Sequence, residues 1–377
     1  MTIGIPKESD GHEHRVPLIP DTVKKLAEAG AHVIIQKTMG ITAGYDDDQY
    51  IGAGAQIGTR AAVLANADII LRIEKPPPDE VARLKRGAVH ISYLDPFNAK
   101  TLVRSLASHH LSAISMELIP RITRTQKMDS LSSQASLAGY VAVILAAERI
   151  GRIFPMMVTS AGTLSPARVF IIGAGVAGLQ AIATAHRLGA RVEAFDTRPA
   201  VEEQVKSLGA KFIKIDLGRT GQTKNGYAKE LTKAQLAKQQ AVMANHCEVS
   251  DVVITTAQVF GRKAPRIVTR SMIDRMKPGS VVIDMAVAGG GNVEGSRLDR
   301  EIEINGVRLI GYANLAGMVP IDASRMYSNN IGNLVLEFWD KENERFVLDL
   351  EDDIIKSCLV THEGRVWNSR FKELYTS

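Results

Sequence analysis

The run Gly173-Ala174-Gly175-Val176-Ala177-Gly178 has the spacing of a dinucleotide-binding turn, and each glycine in it has a physical task. Gly173 permits the tight turn, Gly175 leaves no side chain between the backbone and a pyrophosphate, and Gly178 lets the next helix pack closely on the strand before it. Glycine-rich turns are common, so the context carries the reading. An apolar strand, Val169 to Ile172, leads in, and a helix over Leu179 to Leu188 follows, its N-terminal N–H groups suited to an anion. A second strand then ends at Asp196. A carboxylate there accepts hydrogen bonds from adenosine ribose hydroxyls, whereas a 2′-phosphate would set like charges together at a cost of roughly 4 kcal/mol at close range. The residues favour NAD over NADP, although Arg198 is a group able to accommodate a 2′-phosphate. The plain alternative for Asp196 is a turn residue at a strand end.

Two polar segments are also poised for a ligand. In Arg121 to Gln134, the residues Arg121, Gln126, Asp129 and Ser132 offer a cation, an amide, an acceptor and a hydroxyl to a polar ring substituent such as a carboxamide. The alternative is that Asp129 or Ser130 caps the following helix while Arg121 and Lys127 are solvated. Leu217 to Tyr227 is long, polar and glycine-rich, and reads either as a lid over a cofactor or as a plain surface loop. Neither Cys247 nor Cys358 has zinc-ligand spacing, so no metal and a reducing compartment are expected. The formal charge of +5 is dispersed and aromatics make up 5%, which argues against nucleic acid.

The positioning elements follow from apolar periodicity. At 377 residues the chain exceeds one ordinary core. Short apolar runs at Ile3 to Pro6, Val33 to Gln36, Ile69 to Ile73, Val89 to Leu94 and Ala113 to Met116 alternate with helices, the first of them capped by Asp21. A second series begins at Arg168, with strands Val169 to Ile172, Val192 to Phe195, Phe212 to Ile215, Val252 to Thr256, Val281 to Met285 and Val307 to Ile310. This alternation predicts an α/β protein made of two Rossmann-like, doubly wound parallel-sheet domains with a cleft between them. Apolar helices over Leu131 to Ile150 and Ser324 to Phe338 flank the second series. They place an inserted domain at residues 136–315 and a discontinuous one at 1–135 with 316–377. No membrane span and no signal peptide are expected, since the central apolar stretch is broken by glycines and Lys7, Glu8 and Asp10 come early.

Several segments together resemble the NAD(H)-binding component of proton-translocating NAD(P) transhydrogenase. They are Ile5-Pro6-Lys7-Glu8 with Arg15-Val16, the Pro120-Arg121 to Gln134 loop, Leu137-Ala138-Gly139-Tyr140, Phe154-Pro155-Met156-Met157, the glycine turn and Asp196-Thr197-Arg198. Further matches are Gly226-Tyr227-Ala228-Lys229-Glu230 and Gly289-Gly290-Gly291-Asn292, so the resemblance runs over almost the whole chain. It implies that Arg121, Gln126, Asp129 and Ser132, with Lys127 and Met128, hold the nicotinamide and its ribose. Gly173, Gly175, Val176, Ala177 and Gly178 would face the pyrophosphate, and Asp196, Thr197 and Arg198 the adenosine ribose. Gly226, Gln239 and Gln258 would line the rest, and Tyr227 would fall in a mobile loop. The catalytic set so implied is Arg121, Gln126, Asp129, Ser132 and Tyr227, none of them an acid or base.

In that family hydride passes directly between NAD(H) held here and NADP(H) on a partner component, and proton translocation lies in membrane-spanning subunits. The resemblance further implies a homodimer, peripheral on the cytoplasmic face of the inner membrane. Alanine dehydrogenase, a self-contained enzyme, is the related alternative. It needs a lysine, a histidine and a late acidic residue where this chain has Glu74, Asp95 and Ala288, while Lys75 and His90 lie near but out of register. A third possibility is a non-catalytic NAD(H) sensor.

Overall fold

The computed structural model describes residues 1–9, 11–216, 232–258 and 261–376. It divides into two compact units, Met1–Gln134 with Gly317–Ser377, and Ala135–Ala316. The chain first lays down β1 (Thr2–Ile5), β2 (His32–Gln36), β3 (Ala55–Gly58), β4 (Ile69–Leu71), β5 (Val89–Ser92) and β6 (Ser112–Ser115). The inserted unit then contributes β7 (Met157–Thr159), β8 (Gly162–Leu164), β9 (Arg168–Ile172), β10 (Arg191–Phe195), β11 (Lys211–Phe212), β12 (Val252–Thr255), β13 (Val281–Asp284), β14 (Arg300–Ile304) and β15 (Val307–Gly311). The returning chain adds β16 (Trp339–Asp340), β17 (Arg345–Phe346), β18 (Leu359–His362) and β19 (Arg365–Val366).

In the first unit the sheet order is β19-β18-β6-β5-β4-β1-β2-β3, and β1 to β6 are parallel. The chain runs outward from β1 in one direction and then restarts beside it in the other, which makes β1 and β4 the switch point of a doubly wound sheet. β18 closes the far edge antiparallel to β6, so the C-terminal segment completes this sheet. In the second unit the order is β11-β10-β9-β12-β13-β15-β14, with the same restart beside β9 and only β14 antiparallel. Both faces of this sheet are covered, so its strands are continuous apolar runs. On one face Phe170, Ile172, Val253, Val282 and Leu309 pack with Met243, Cys247, Met272 and Ile273.

Three local expectations are corrected. The strand expected over Phe212 to Ile215 ends at Phe212. Asp21 is not a cap: that helix spans Pro20–Glu28 behind Ile19, and Asp21 lies in its first turn, where a negative charge suits the helix dipole. The long apolar helix, Ser130–Arg149, is of a length and composition that could cross a bilayer. Here its first residues are held within the first unit by Gln134, which donates to the Ala323 carbonyl at 3.0 Å. Farther along, Gly139 packs at backbone distance on Ala177 within the second unit.

Candidate functional site: a glycine turn and a capped loop

The glycine turn connects β9 to the helix Val176–Arg187. Gly173 has φ +102, a conformation L side chains rarely adopt, and a Cβ there would lie 2.5 Å from Thr256 Oγ1. A Cβ on Gly178 would lie 1.9 Å from the Gly173 carbonyl oxygen, so no side chain fits. Gly175 differs. Its φ of −82 is open to any residue and a Cβ would meet nothing within 4 Å. The protein itself therefore gives no reason for glycine at 175, and the empty space in front of it fits the close approach of a pyrophosphate. Gly175 also gives the helix no side-chain cap, so its first N–H groups are left to a ligand or solvent.

Asp196, just beyond β10, is built into the turn. Its carboxylate accepts from the Ala174 N–H at 2.8 Å, from the Arg198 N–H at 2.8 Å and from Arg198 Nε at 2.9 Å. Arg198 Nη2 completes a two-pronged ion pair at 2.7 Å, and this bond to Asp196 raises the guanidinium pKa. Arg198 is thus turned toward Asp196, and a ribose diol reaching that carboxylate replaces guanidinium bonds. Thr197 is half-buried between them. Gln239, on the helix Lys233–Val249, is buried, and its Oε1 finds no partner among the described residues. Such an acceptor waits for a donor. Gln258 is exposed and donates to the Met285 carbonyl at 2.9 Å. Gly226 and Tyr227, with the rest of the segment from Leu217, lie outside the described residues.

In the first unit Thr123–Met128 forms a 3₁₀ turn, and Asp129 caps the helix behind it. Asp129 Oδ1 accepts from the Ser132 N–H at 2.9 Å and Oδ2 from the Ser132 hydroxyl at 2.6 Å. The capping alternative is realised, and it brings Asp129 and Ser132 together at one helix N-terminus. Arg121 and Gln126 are exposed, while Met128 is sealed in the core. Lys127 is not simply solvated, since its ammonium pairs with Glu337 at 2.7 Å. Arg124 joins the same carboxylate at 2.9 Å and Asp352 at 2.6 Å, and these cations hold the Glu337 carboxyl below its usual range.

Sequence reasoning missed the supports of this loop. Asn330, Asn333 and Glu337 recur at three- and four-residue spacing on the helix Pro320–Glu337, a polar stripe on a helix read only as apolar. Arg15 is a second support: buried with Glu13 at 2.6 Å, it donates to Gln134 Oε1 at 2.8 Å.

Glu8, three residues past β1, is buried beside Arg72 and accepts from the Ile73 N–H at 2.7 Å. Burial outweighs these partners and raises its pKa from 4.5 to about 7. A folded-state pKa above the unfolded one means the native chain binds the extra proton, so stability falls as pH rises between those values, by about 3 kcal/mol in all. Glu8→Gln is expected to remove that slope. Urea unfolding at pH 5 and pH 8 measures it, and equal slopes in both proteins would show that Glu8 is ionised in the fold.

These two units and the glycine turn define a Rossmann-type dinucleotide-binding protein. The N-terminal domain model of alanine dehydrogenase/PNT matches residues 4–138 and the C-terminal domain model residues 142–369. The chain belongs to the alanine dehydrogenase/PNT family. It is 43% identical over 374 residues to a chain of NAD(P) transhydrogenase subunit alpha from Rhodospirillum rubrum, covering 97% of each. The crystal structure of transhydrogenase from Sinorhizobium meliloti superposes with a TM-score of 0.85 at 43% identity, covering 98% of this chain and 100% of that one. An L-alanine dehydrogenase structure gives a TM-score of 0.83 at 26% identity, covering 100% of this chain and 99% of the other.

Proposed function

We propose that this chain is the NAD(H)-binding component of a proton-translocating transhydrogenase, passing hydride directly between NAD(H) held here and NADP(H) on a partner component. NAD(H), when bound, supplies the hydride donor or acceptor carbon. The residues of this chain bind, orient and exclude water. The Gly173–Gly178 turn and its helix N-terminus hold the pyrophosphate, with Val176 and Ala177 contributing N–H groups, and Asp196, Thr197 and Arg198 hold the adenosine ribose. Gln239, Gln258, Gly226 and Tyr227 complete the adenosine and ribose contacts. Arg121, Gln126, Asp129 and Ser132 hold the nicotinamide end, with Lys127 and Met128 supplying backbone to the same turn. Placement alone is worth several powers of ten in rate for a reaction between two bound rings.

The observation that carries this reading over a self-contained amino-acid dehydrogenase is the state of the nearby ionisable groups. Glu74 lies 3.9 Å from Arg15, and Asp95 lies 3.9 Å from Lys75, so two carboxylates stand where that chemistry needs a lysine and a histidine. His90 is fully buried on β5, with Nε2 3.0 Å from Ser92 Oγ, and burial lowers its pKa to about 3. It stays neutral and out of reach, so it shuttles no proton at physiological pH. The test mixes this protein with a purified NADP(H)-binding component and follows reduction of an NAD analogue by NADPH. Exchange is expected only in the mixture. Turnover of alanine with NAD by this chain alone would overturn the reading in favour of a dehydrogenase, and NADH binding without exchange in favour of a sensor.

The wider assembly follows from the same reading: proton translocation in membrane-spanning partner subunits, with this component on the cytoplasmic face of the inner membrane. Self-association as a homodimer is supported by the β7–β8 hairpin. It is uncharged from residue 153 to 166 and exposes Met156 at 64% and Val158 at 69%. A two-stranded ribbon with bare apolar side chains is marginal alone and gains from a partner surface. A monomer mass in sedimentation equilibrium would remove the homodimer from the proposal.

A further inference from the structure

The loop from Arg121 to Ser132 carries no regular structure beyond one 3₁₀ turn before its helix begins, yet its backbone is held from outside at one atom. The Lys127 carbonyl accepts from Asn330 Nδ2 at 3.0 Å and from Asn333 Nδ2 at 3.1 Å. The other end of the same Asn330 amide, Oδ1, accepts from the Ser133 hydroxyl at 2.7 Å. Asn330 is 7% exposed, so both of its bonds are made away from bulk water, where each is worth more than on the surface. One buried amide therefore ties the end of the 3₁₀ turn to the first turn of the following helix. Between those two points lie only Asp129, which caps the helix through Ser132, and its neighbours.

We propose that Asn330 is a positioning residue for hydride transfer. From the helix Pro320–Glu337 it sets where Asp129 and Ser132 stand, and Asn333 and Glu337 act as its auxiliaries. The proposal rests on the reading that this loop holds the nicotinamide end of NAD(H). Glu337 assists by taking the charges of Arg124 and Lys127, which anchors the turn on that side. A small displacement of the loop leaves most binding contacts intact but moves the reacting geometry, on which rate depends far more steeply than affinity.

The variant that isolates this role is Asn330→Asp, which keeps the volume and the acceptor for Ser133 but turns the donor facing the Lys127 carbonyl into an acceptor. NADH affinity and hydride exchange with a purified NADP(H)-binding component are measured together, beside Gln126→Asn in the loop itself. The expected result is an NADH Kd within about threefold of the parent and a kcat lower by about tenfold, a split that simple destabilisation does not give. Parent-like kcat in Asn330→Asp with impaired Gln126→Asn overturns the positioning role and leaves the loop reading standing. Parent-like kcat in both removes the loop reading and the proposal with it. A parallel loss in Kd, kcat and melting temperature assigns Asn330 to the fold alone and also overturns the proposal. If Asn330→Asp does not fold, the exposed Asn333→Ala replaces it: kcat lowered about threefold at unchanged Kd supports the role, and unchanged kcat overturns it.

Discussion

Gly178→Ala is expected to abolish NAD(H) binding and to lower the stability of the second unit by about 3 kcal/mol or more, whereas Gly175→Ala is expected to lose binding alone. The two glycines differ in what surrounds them. At Gly178 the new methyl would stand 1.9 Å from the Gly173 carbonyl oxygen, backbone that cannot rotate aside, so the helix Val176–Arg187 must lift from β9. That helix is also locked from its other side, where Gly139 already brings the Ser130–Arg149 helix to 2.2 Å, counted from an ideal Cβ, of the Ala177 carbonyl. At Gly175 the methyl meets nothing, and only a bound pyrophosphate would feel it. Thermal melts and NADH titrations of both variants check the pair. A stable Gly175→Ala protein with parent-like NADH affinity would show that the pyrophosphate does not use this turn.

Replacing Asp129 should separate capping from positioning. Asp129→Ala removes both bonds to Ser132 and is expected to cost about 1 kcal/mol of stability, the usual value of a lost N-cap. Asp129→Asn retains an oxygen for the Ser132 N–H, and asparagine caps as well as aspartate, so its melting temperature is expected to stay near the parent's. Hydride exchange is nevertheless expected to fall by about 10²-fold in Asp129→Ala and by about tenfold in Asp129→Asn. The amide cannot accept at both oxygens, and the Ser132 hydroxyl is then released. Stopped-flow exchange with the NADP(H)-binding component measures both rates. Parent-like rates in both variants would leave Asp129 as a helix cap and nothing more.

What could be read from the sequence follows the range of the interactions. β1, β4, β5, β9, β12 and β13 lie inside covered parallel sheets, and Ile69–Leu71 or Val281–Asp284 announce themselves as apolar runs. β3, with the polar Ala-Gln-Ile-Gly, sits at a sheet edge and gives no such run. β14 alternates Glu301, Ile302, Glu303 and Ile304 as an antiparallel edge strand, a period-two signal that an all-parallel expectation passes over. β18 pairs with β6 across more than 240 residues, and nothing local encodes that partner. The glycine turn was legible because its chemistry is confined to six residues. Asp129 as a cap was legible for the same reason. The engagement of Arg198 by Asp196 was not, because the same two residues serve opposite cofactor preferences depending on where the guanidinium turns. The hold of Asn330 on Lys127 joins residues 203 apart and is visible only in three dimensions.

The most direct test of hydride passing from ring to ring uses NADPH carrying deuterium at the transferred position, mixed with an NAD analogue, this protein and the NADP(H)-binding component in ordinary water. Mass spectrometry of the reduced analogue is expected to find the label retained in full, because no side chain relays the hydrogen. Unlabelled product, with the deuterium recovered in solvent, would contradict direct transfer.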